Sequence, residues 1–121
     1  MKIQTNTLSR HCLGTIKTLN INKLLTGKEC LNAVRTILTK HETVELGSQQ
    51  YNFPNNSFTI TVCLQESHVS IHTWPEKNIV QLDVFLCNYI SDNTQKCENI
   101  YNDIVAYFEA YEDNRTVLER L

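Results

Sequence analysis

Most of the chemistry this chain could perform lies in one short run, Glu66-Ser67-His68-Val69-Ser70-Ile71-His72-Thr73-Trp74-Pro75-Glu76, with Cys87 shortly after it. The run holds two of the four histidines, the only tryptophan and one of the two prolines in 121 residues. A serine hydroxyl or a cysteine thiol becomes a nucleophile when a base takes its proton, and imidazole is such a base near neutral pH. Two close histidines are also common as hydrogen-bonded structural side chains, so residue type alone leaves both readings open. Spacing narrows them. His68 and His72 are four apart, which would suit one face of a helix, but the residues around them alternate as a strand. On a strand Val69 and Ile71 point one way, and His68, Ser70, His72 and Trp74 point the other.

Composition bounds what such a run can belong to. The length implies one domain with a modest core that self-association would help. Hydrophobic residues at 41% and charged residues at 20% are ordinary for a globular protein. The formal net charge of -2 gives no basic footprint for nucleic acid. No apolar run approaches the roughly 18 residues of a membrane span. Met1-Lys2-Ile3-Gln4-Thr5-Asn6-Thr7 has no apolar signal core, so a cytoplasmic location is expected. The cysteines are Cys12, Cys30, Cys63, Cys87 and Cys97, with no CxxC pair, which predicts free thiols. Histidines and cysteines are not clustered at ligand spacing, so no metal is expected.

The elements that must position the run follow from periodicity. Arg10 to Leu19 reads as a first strand, with Cys12, Gly14 and Ile16 on one face and Leu13, Thr15 and Lys17 on the other. Thr26 and Glu29 form a capping-box signature for a helix that buries Cys30 or Leu31, Val34, Ile37 and Leu38. Glu42 to Tyr51 predicts a second strand interrupted near Gly47-Ser48, and Phe53-Pro54-Asn55-Asn56 is a turn by composition. Phe58, Ile60, Val62 and Leu64 then alternate with polar residues in the cleanest strand of the chain. After the central run, Pro75 to Asn78 turns into a strand from Ile79 to Cys87. A second helix carries the stripe Cys97, Ile100, Tyr101, Ile104, Val105, Phe108 and Tyr111. The acidic tract Glu109 to Asp113 follows, and Thr116-Val117-Leu118 reads as a short edge strand or a tail. Strands grouped around two helices predict an α+β two-layer sandwich, an antiparallel sheet with both helices on one face.

The order of residues from Gln65 to Cys87 resembles the self-processing segment of the prokaryotic S-adenosylmethionine decarboxylases, which are pyruvoyl enzymes. Near the N-terminus Leu8-Ser9-Arg10-His11 resembles the family's opening Leu-Gly-Arg-His. The resemblance implies the same fold and a self-cleavage between Glu66 and Ser67. In that scheme the Ser67 hydroxyl attacks the Glu66 carbonyl and converts the amide to an ester. Loss of the Ser67 α-proton then eliminates the Glu66 carboxylate, and the dehydroalanine hydrolyses to a pyruvoyl group. Chains 1–66 and 67–121 would result. His72 matches the family histidine assigned to processing, and Thr59 stands where the family has a helper serine. The ketone would bind the substrate amine as a Schiff base and take up the electrons released with carbon dioxide. Cys87 matches the cysteine that reprotonates the product; by itself it would read as a small buried hydrophobe. Strand parity permits His72 and Cys87 to face each other on neighbouring strands. Phe53 and Trp74 match rings that stack on adenine, and Glu76 matches the carboxylate near the ribose. A homodimer in which two protomers build each site is also implied.

Two positions depart from the pattern. Thr59-Ile60 replaces the usual serine and glycine; threonine is stiffer at χ1 and isoleucine prevents a close backbone approach. Processing efficiency and substrate identity are therefore open at the level of sequence. The alternatives are the same chemistry on ornithine or arginine, and a non-cleaving partner subunit.

Overall fold

The computed structural model describes residues 8–89 and 91–121. Six strands, β1 (Ser9–Lys17), β2 (Glu45–Asn52), β3 (Phe58–Leu64), β4 (Ser67–Trp74), β5 (Ile79–Leu86) and β6 (Glu112–Arg120), form one sheet in the order β2-β3-β4-β5-β1-β6. All five pairings are antiparallel. Two helices, α1 (Gly27–Lys40) and α2 (Thr94–Tyr107), cover one face, α1 over β2 and β3 and α2 over β5 and β1. This is the two-layer α+β sandwich that the sequence predicts. Among the described residues no helix is long and apolar enough to cross a membrane.

The alternation of apolar residues decides which face is covered. Ile60 and Val62 on β3, Val69 and Ile71 on β4, and Leu82 and Val84 on β5 are all buried under the helices. Val34, Leu38, Ile100, Tyr101 and Ile104 meet them from above. Each large apolar side chain so buried contributes about 1.5–3 kcal/mol. The strand period of two then sends His68, Ser70, His72 and Trp74 to the opposite face, which carries no helix among the described residues. Gly14 lets β6 and α2 close on β1, since a Cβ there would lie 2.4 Å from the Asn114 carbonyl oxygen and 2.6 Å from the Tyr101 hydroxyl.

Several element boundaries differ from expectation for identifiable reasons. β1 ends at Lys17 rather than Leu19, where the chain enters a short 3-10 turn at Ile21–Leu24. The capping box does not form: the Thr26 hydroxyl donates back to the Asn22 carbonyl at 3.0 Å. Cys30 is fully buried and Leu31 and Ile37 only flank the core. β2 begins at Glu45, with its irregularity between Glu45 and Gly47. Tyr111 is no part of the helical stripe; α2 stops at Tyr107, and Tyr111 is exposed with its N–H on the Lys17 carbonyl. The tail is a full nine-residue strand, because β1 has a free edge that β6 pairs along its whole length. All five cysteines are free thiols, and burial pushes the Cys30 thiol up to about 12.

Candidate active site

The uncovered face has two distinct ends, and β4 runs between them. At its start the chain leaves β3 through Gln65 and Glu66 and enters β4 at Ser67. Ser67 has a φ of 141°, a backbone region that non-glycine residues rarely occupy and that costs on the order of 1–3 kcal/mol. The strain falls on the residue after the Glu66 carbonyl. That carbonyl accepts a hydrogen bond from the Cys87 N–H at 2.8 Å. An N–H so placed can hold negative charge on the oxygen if the carbonyl is attacked.

The polar groups around this bond are anchored from the loop that precedes α2 and from β1. The Asn93 side-chain amide donates to the Glu66 carboxylate and, at 2.9 Å, to the Cys87 carbonyl. The Asn93 N–H in turn donates to Asn88 Oδ1 at 2.7 Å, and the Asn88 N–H to Ser9 Oγ at 2.8 Å. Both asparagines are buried. Asn93 is free for this task because Asp92 takes over at the helix start, accepting the Thr94 N–H at 3.0 Å. That bond holds the Asp92 carboxyl below its usual range.

Ser67 Oγ lies 3.3 Å from His68 Nδ1, and His68 Nε2 lies 3.1 Å from Asp83 Oδ1. His11 Nε2 reaches the same carboxylate oxygen at 2.7 Å. His11, His68 and Asp83 each place a ligand-capable atom within 4.8 Å of the others. The absence of ligand spacing in the sequence therefore did not exclude a cluster. It is assembled from three strands, with His11 far along the chain from its neighbours.

The other end of β4 carries a different set of groups. His72 Nδ1 and Thr59 Oγ1 share a hydrogen bond of 2.5 Å across the β3–β4 pairing. The Trp74 and Phe53 rings flank His72, with centroids 4.6 Å and 5.8 Å from it, and Tyr51 packs on Phe53 at 4.9 Å. Phe53 and Trp74 each remain 37% exposed. The Trp74 indole N–H donates to Gln81 Oε1 at 3.0 Å, and the Asn55 amide reaches the Glu76 carboxylate at 3.4 Å. A depression of about 330 Å³ on this face is lined by Thr15, Thr59, Ser70, His72, Gln81 and Asp83.

The structure thus brings Glu66, Ser67 and Cys87 together, and separately brings Phe53, Thr59, His72, Trp74 and Glu76 together. It does not bring the two sets into contact within one chain. In the β4–β5 register Ser67 faces Leu86 and His72 faces Gln81, so Cys87 lies past the end of β5 beside Glu66. His72 and Cys87 are therefore not cross-strand neighbours, although parity allowed it. At about 3.3 Å per residue, Ser67 and His72 are roughly 16 Å apart along β4. Asn88, Asn93 and Asp83 join the Ser67 end unforeseen. Asn88 and Asn93 have the composition of a loop before a helix and Asp83 lies within a strand, so no local pattern marks the three as one site. His11 had a signal in the Leu8-Ser9-Arg10-His11 segment.

A one-sided antiparallel sheet therefore carries a strained serine and a hydrogen-bonded carbonyl at the start of one strand. The chain belongs to the S-adenosylmethionine decarboxylase family, which it matches over residues 10–120. It is 36% identical over 87 residues to an S-adenosylmethionine decarboxylase proenzyme of Archaeoglobus fulgidus, covering 72% of this chain and 74% of that one. A proenzyme of the same description from a Hydrogenobaculum species is 28% identical over 98 residues, or 81% and 73% of the two chains. The crystal structure of the adenosylmethionine decarboxylase of Aquifex aeolicus superposes with a TM-score of 0.84 at 25% identity, covering 94% of this chain and 91% of that one.

Proposed function

We propose that this chain is a proenzyme that cuts itself between Glu66 and Ser67, and that the mature protein decarboxylates S-adenosylmethionine to the aminopropyl donor for spermidine synthesis in the cytoplasm. The observation that carries the first half is the Glu66–Ser67 bond itself. Its serine is strained at φ 141° and its carbonyl oxygen is held by the Cys87 N–H. Family membership supplies the substrate class.

The pyruvoyl group made from Ser67 supplies an electron-withdrawing ketone that holds the substrate amine and takes up the electrons of the departing carboxylate. The residues of this chain have the remaining work. Cys87, whose backbone N–H already meets the Glu66 carbonyl, returns a proton to the α-carbon. Phe53 and Trp74 offer two exposed ring faces for adenine, and Glu76 offers acceptors for ribose hydroxyls. An aromatic clamp with one carboxylate favours an adenosyl substrate over ornithine or arginine, whose side-chain cation calls for an acidic pocket. His72, held by Thr59, serves as a processing base, for the loss of the Ser67 α-proton.

The separation of the two ends supports a homodimer. Two uncovered faces packed about a two-fold axis would set the Ser67 end of one protomer against the His72 and Trp74 end of its partner, so that both protomers build each site. No metal is needed for these roles.

The test is the intact mass of the denatured protein, with and without a carbonyl reagent. Fragments 1–66 and 67–121, the second carrying a reactive carbonyl, are expected for the wild type. Ser67→Ala is expected to stay one chain and be inactive. A single uncut wild-type chain without a reactive carbonyl would leave a non-cleaving partner subunit as the better reading.

A further inference from the structure

The ring that meets the Ser67 hydroxyl in its own chain is His68, not His72, and its surroundings fix which nitrogen is free. The line begins outside the site, at β6. Arg120 Nη1 lies 3.1 Å from His11 Nδ1. A guanidinium only donates, so His11 Nδ1 is a bare acceptor and the ring proton of neutral His11 sits on Nε2. That N–H points at Asp83 Oδ1. An ionised carboxylate only accepts, so His68 must also donate to Asp83 through Nε2. His68 Nδ1 is then left unprotonated, facing Ser67 Oγ. Arginine at one end and carboxylate in the middle thus settle every donor and acceptor up to the serine. The 3.3 Å contact at the serine is long for a hydrogen bond, as such contacts commonly are before reaction.

We propose that His68 is the general base for the first step of self-cleavage, with Asp83, His11 and Arg120 as residues that position it; this rests on the self-cleavage reading above. The Ser67 oxygen forms a bond to the Glu66 carbonyl carbon while its proton passes to His68 Nδ1. The carbonyl electron pair moves to the oxygen, which the Cys87 N–H already holds. The C–N bond to Ser67 then breaks, and the departing nitrogen takes the proton back from His68. The product is an ester and a free amine, with no net gain or loss of protons. Asp83 stabilises the imidazolium formed in between, the role of the carboxylate in a serine–histidine–aspartate arrangement. His72 is left for a later proton transfer. The same His11, His68 and Asp83 atoms could instead hold a divalent cation, since two imidazoles and a carboxylate are a common ligand set. Asp83 Oδ1, however, is within hydrogen-bond distance of both ring nitrogens, and a cation would have to break both bonds.

The two roles separate when cleavage is followed in freshly translated chain, before processing is complete. Hydroxylamine is added as the probe, because it cuts esters at neutral pH but not amides. The wild type is expected to cleave spontaneously. His68→Ala and His68→Gln are expected to cleave at least about 100-fold more slowly. Neither should show a hydroxylamine-sensitive bond at Glu66–Ser67, and added imidazole should restore part of the rate in His68→Ala. Asp83→Asn should slow the same step, and Asp83→Glu should recover much of it. His68→Gln retains a donor to Asp83 and guards against a folding artefact. A folded His68→Gln that cleaves at the wild-type rate, or one that hydroxylamine cuts at Glu66–Ser67, would overturn the assignment. Wild-type cleavage stopped by EDTA and restored by zinc would overturn it in favour of a metal site. A wild type that never cleaves would overturn the self-cleavage reading itself.

Discussion

The two ends of the uncovered face are built on the same strand but held in opposite ways. At the Ser67 end, half-buried Glu66, Ser67, His68 and Asp83 are tied to supporting polar groups that are buried: Asn93 is 1% exposed, Asn88 3% and His11 8%. At the other end, Tyr51 is 59% exposed and Phe53 and Trp74 37% each, and they touch mainly through ring edges. A bond that is to be broken needs donors fixed before reaction, since electrostatic stabilisation depends on preorganised groups. A ring that is to stack on a ligand needs a free face. The first end draws the groups around the Glu66–Ser67 bond from one chain, and the second waits for a cover, which in the proposed dimer is substrate and the partner protomer.

Mixing variants would test that division most severely. Ser67→Ala and His72→Ala should each be inactive as homodimers. Co-expressed, they should recover about a quarter of wild-type activity, because half the dimers are mixed and one of the two sites in each retains both residues. Continued inactivity of the mixture, with mixed dimers verified by mass, would mean that each site is built by one chain. Cys87→Ala comes next: it should still yield fragments 1–66 and 67–121 but lose decarboxylation by about 100-fold or more. Unchanged turnover would remove Cys87 as the proton donor. Trp74→Ala should leave cleavage intact and raise KM for S-adenosylmethionine by about 5- to 150-fold, the equivalent of losing one stacked base. An effect confined to cleavage would place Trp74 with the processing groups instead.

The smallest expected effect lies away from both ends and serves as a control. Asp103 on α2 receives His41 at 2.7 Å and Lys40 at 3.1 Å. The hydrogen bond with His41, with Lys40 assisting, holds its carboxyl below the usual range. A lowered carboxyl stabilises the fold above the unfolded pKa, and the contribution fades as pH falls through the lowered folded value. Asp103→Asn should therefore cost about 0.5–1 kcal/mol near neutral pH, with the gap to wild type closing in acid. Equal denaturant midpoints at neutral pH would show that the pair contributes nothing. Cleavage and turnover should be unaffected.

How much of this was legible in the sequence follows the range of the interactions involved. The strands around Ile60, Val69 and Leu82 and the helix carrying Ile100 and Ile104 were legible because burial imposes a period that a short window displays. The serine, the cysteine and the aromatic residues were legible through the order of a short contiguous segment. The register that separates His72 from Cys87 was not, because parity fixes the face of a side chain but not its partner along the strand. Nor was the union of Arg120, His11, Asp83 and His68, which joins four strands. Thr26 and Glu29 had the spacing of a capping box, but the threonine hydroxyl found a nearer acceptor in the preceding turn.

The strand order has a consequence for the two fragments that the proposed cut would leave. Strands β1, β2 and β3 lie before Glu66, and β4, β5 and β6 after it. In the order β2-β3-β4-β5-β1-β6, three of the five seams, β3–β4, β5–β1 and β1–β6, would then join different polypeptides. β1 would be threaded between two strands of the other fragment, hydrogen-bonded along both edges, so the pieces could not drift apart without dismantling the sheet. Severing the backbone would convert one molecule into an interlocked pair whose native state forms readily only while the chain is still whole. Refolding of the denatured mature protein should accordingly slow on dilution, as a bimolecular assembly does, whereas uncut Ser67→Ala should regain its sheet at a rate independent of concentration. Equal concentration dependence in the two would show that the fragments do not hold each other in this way.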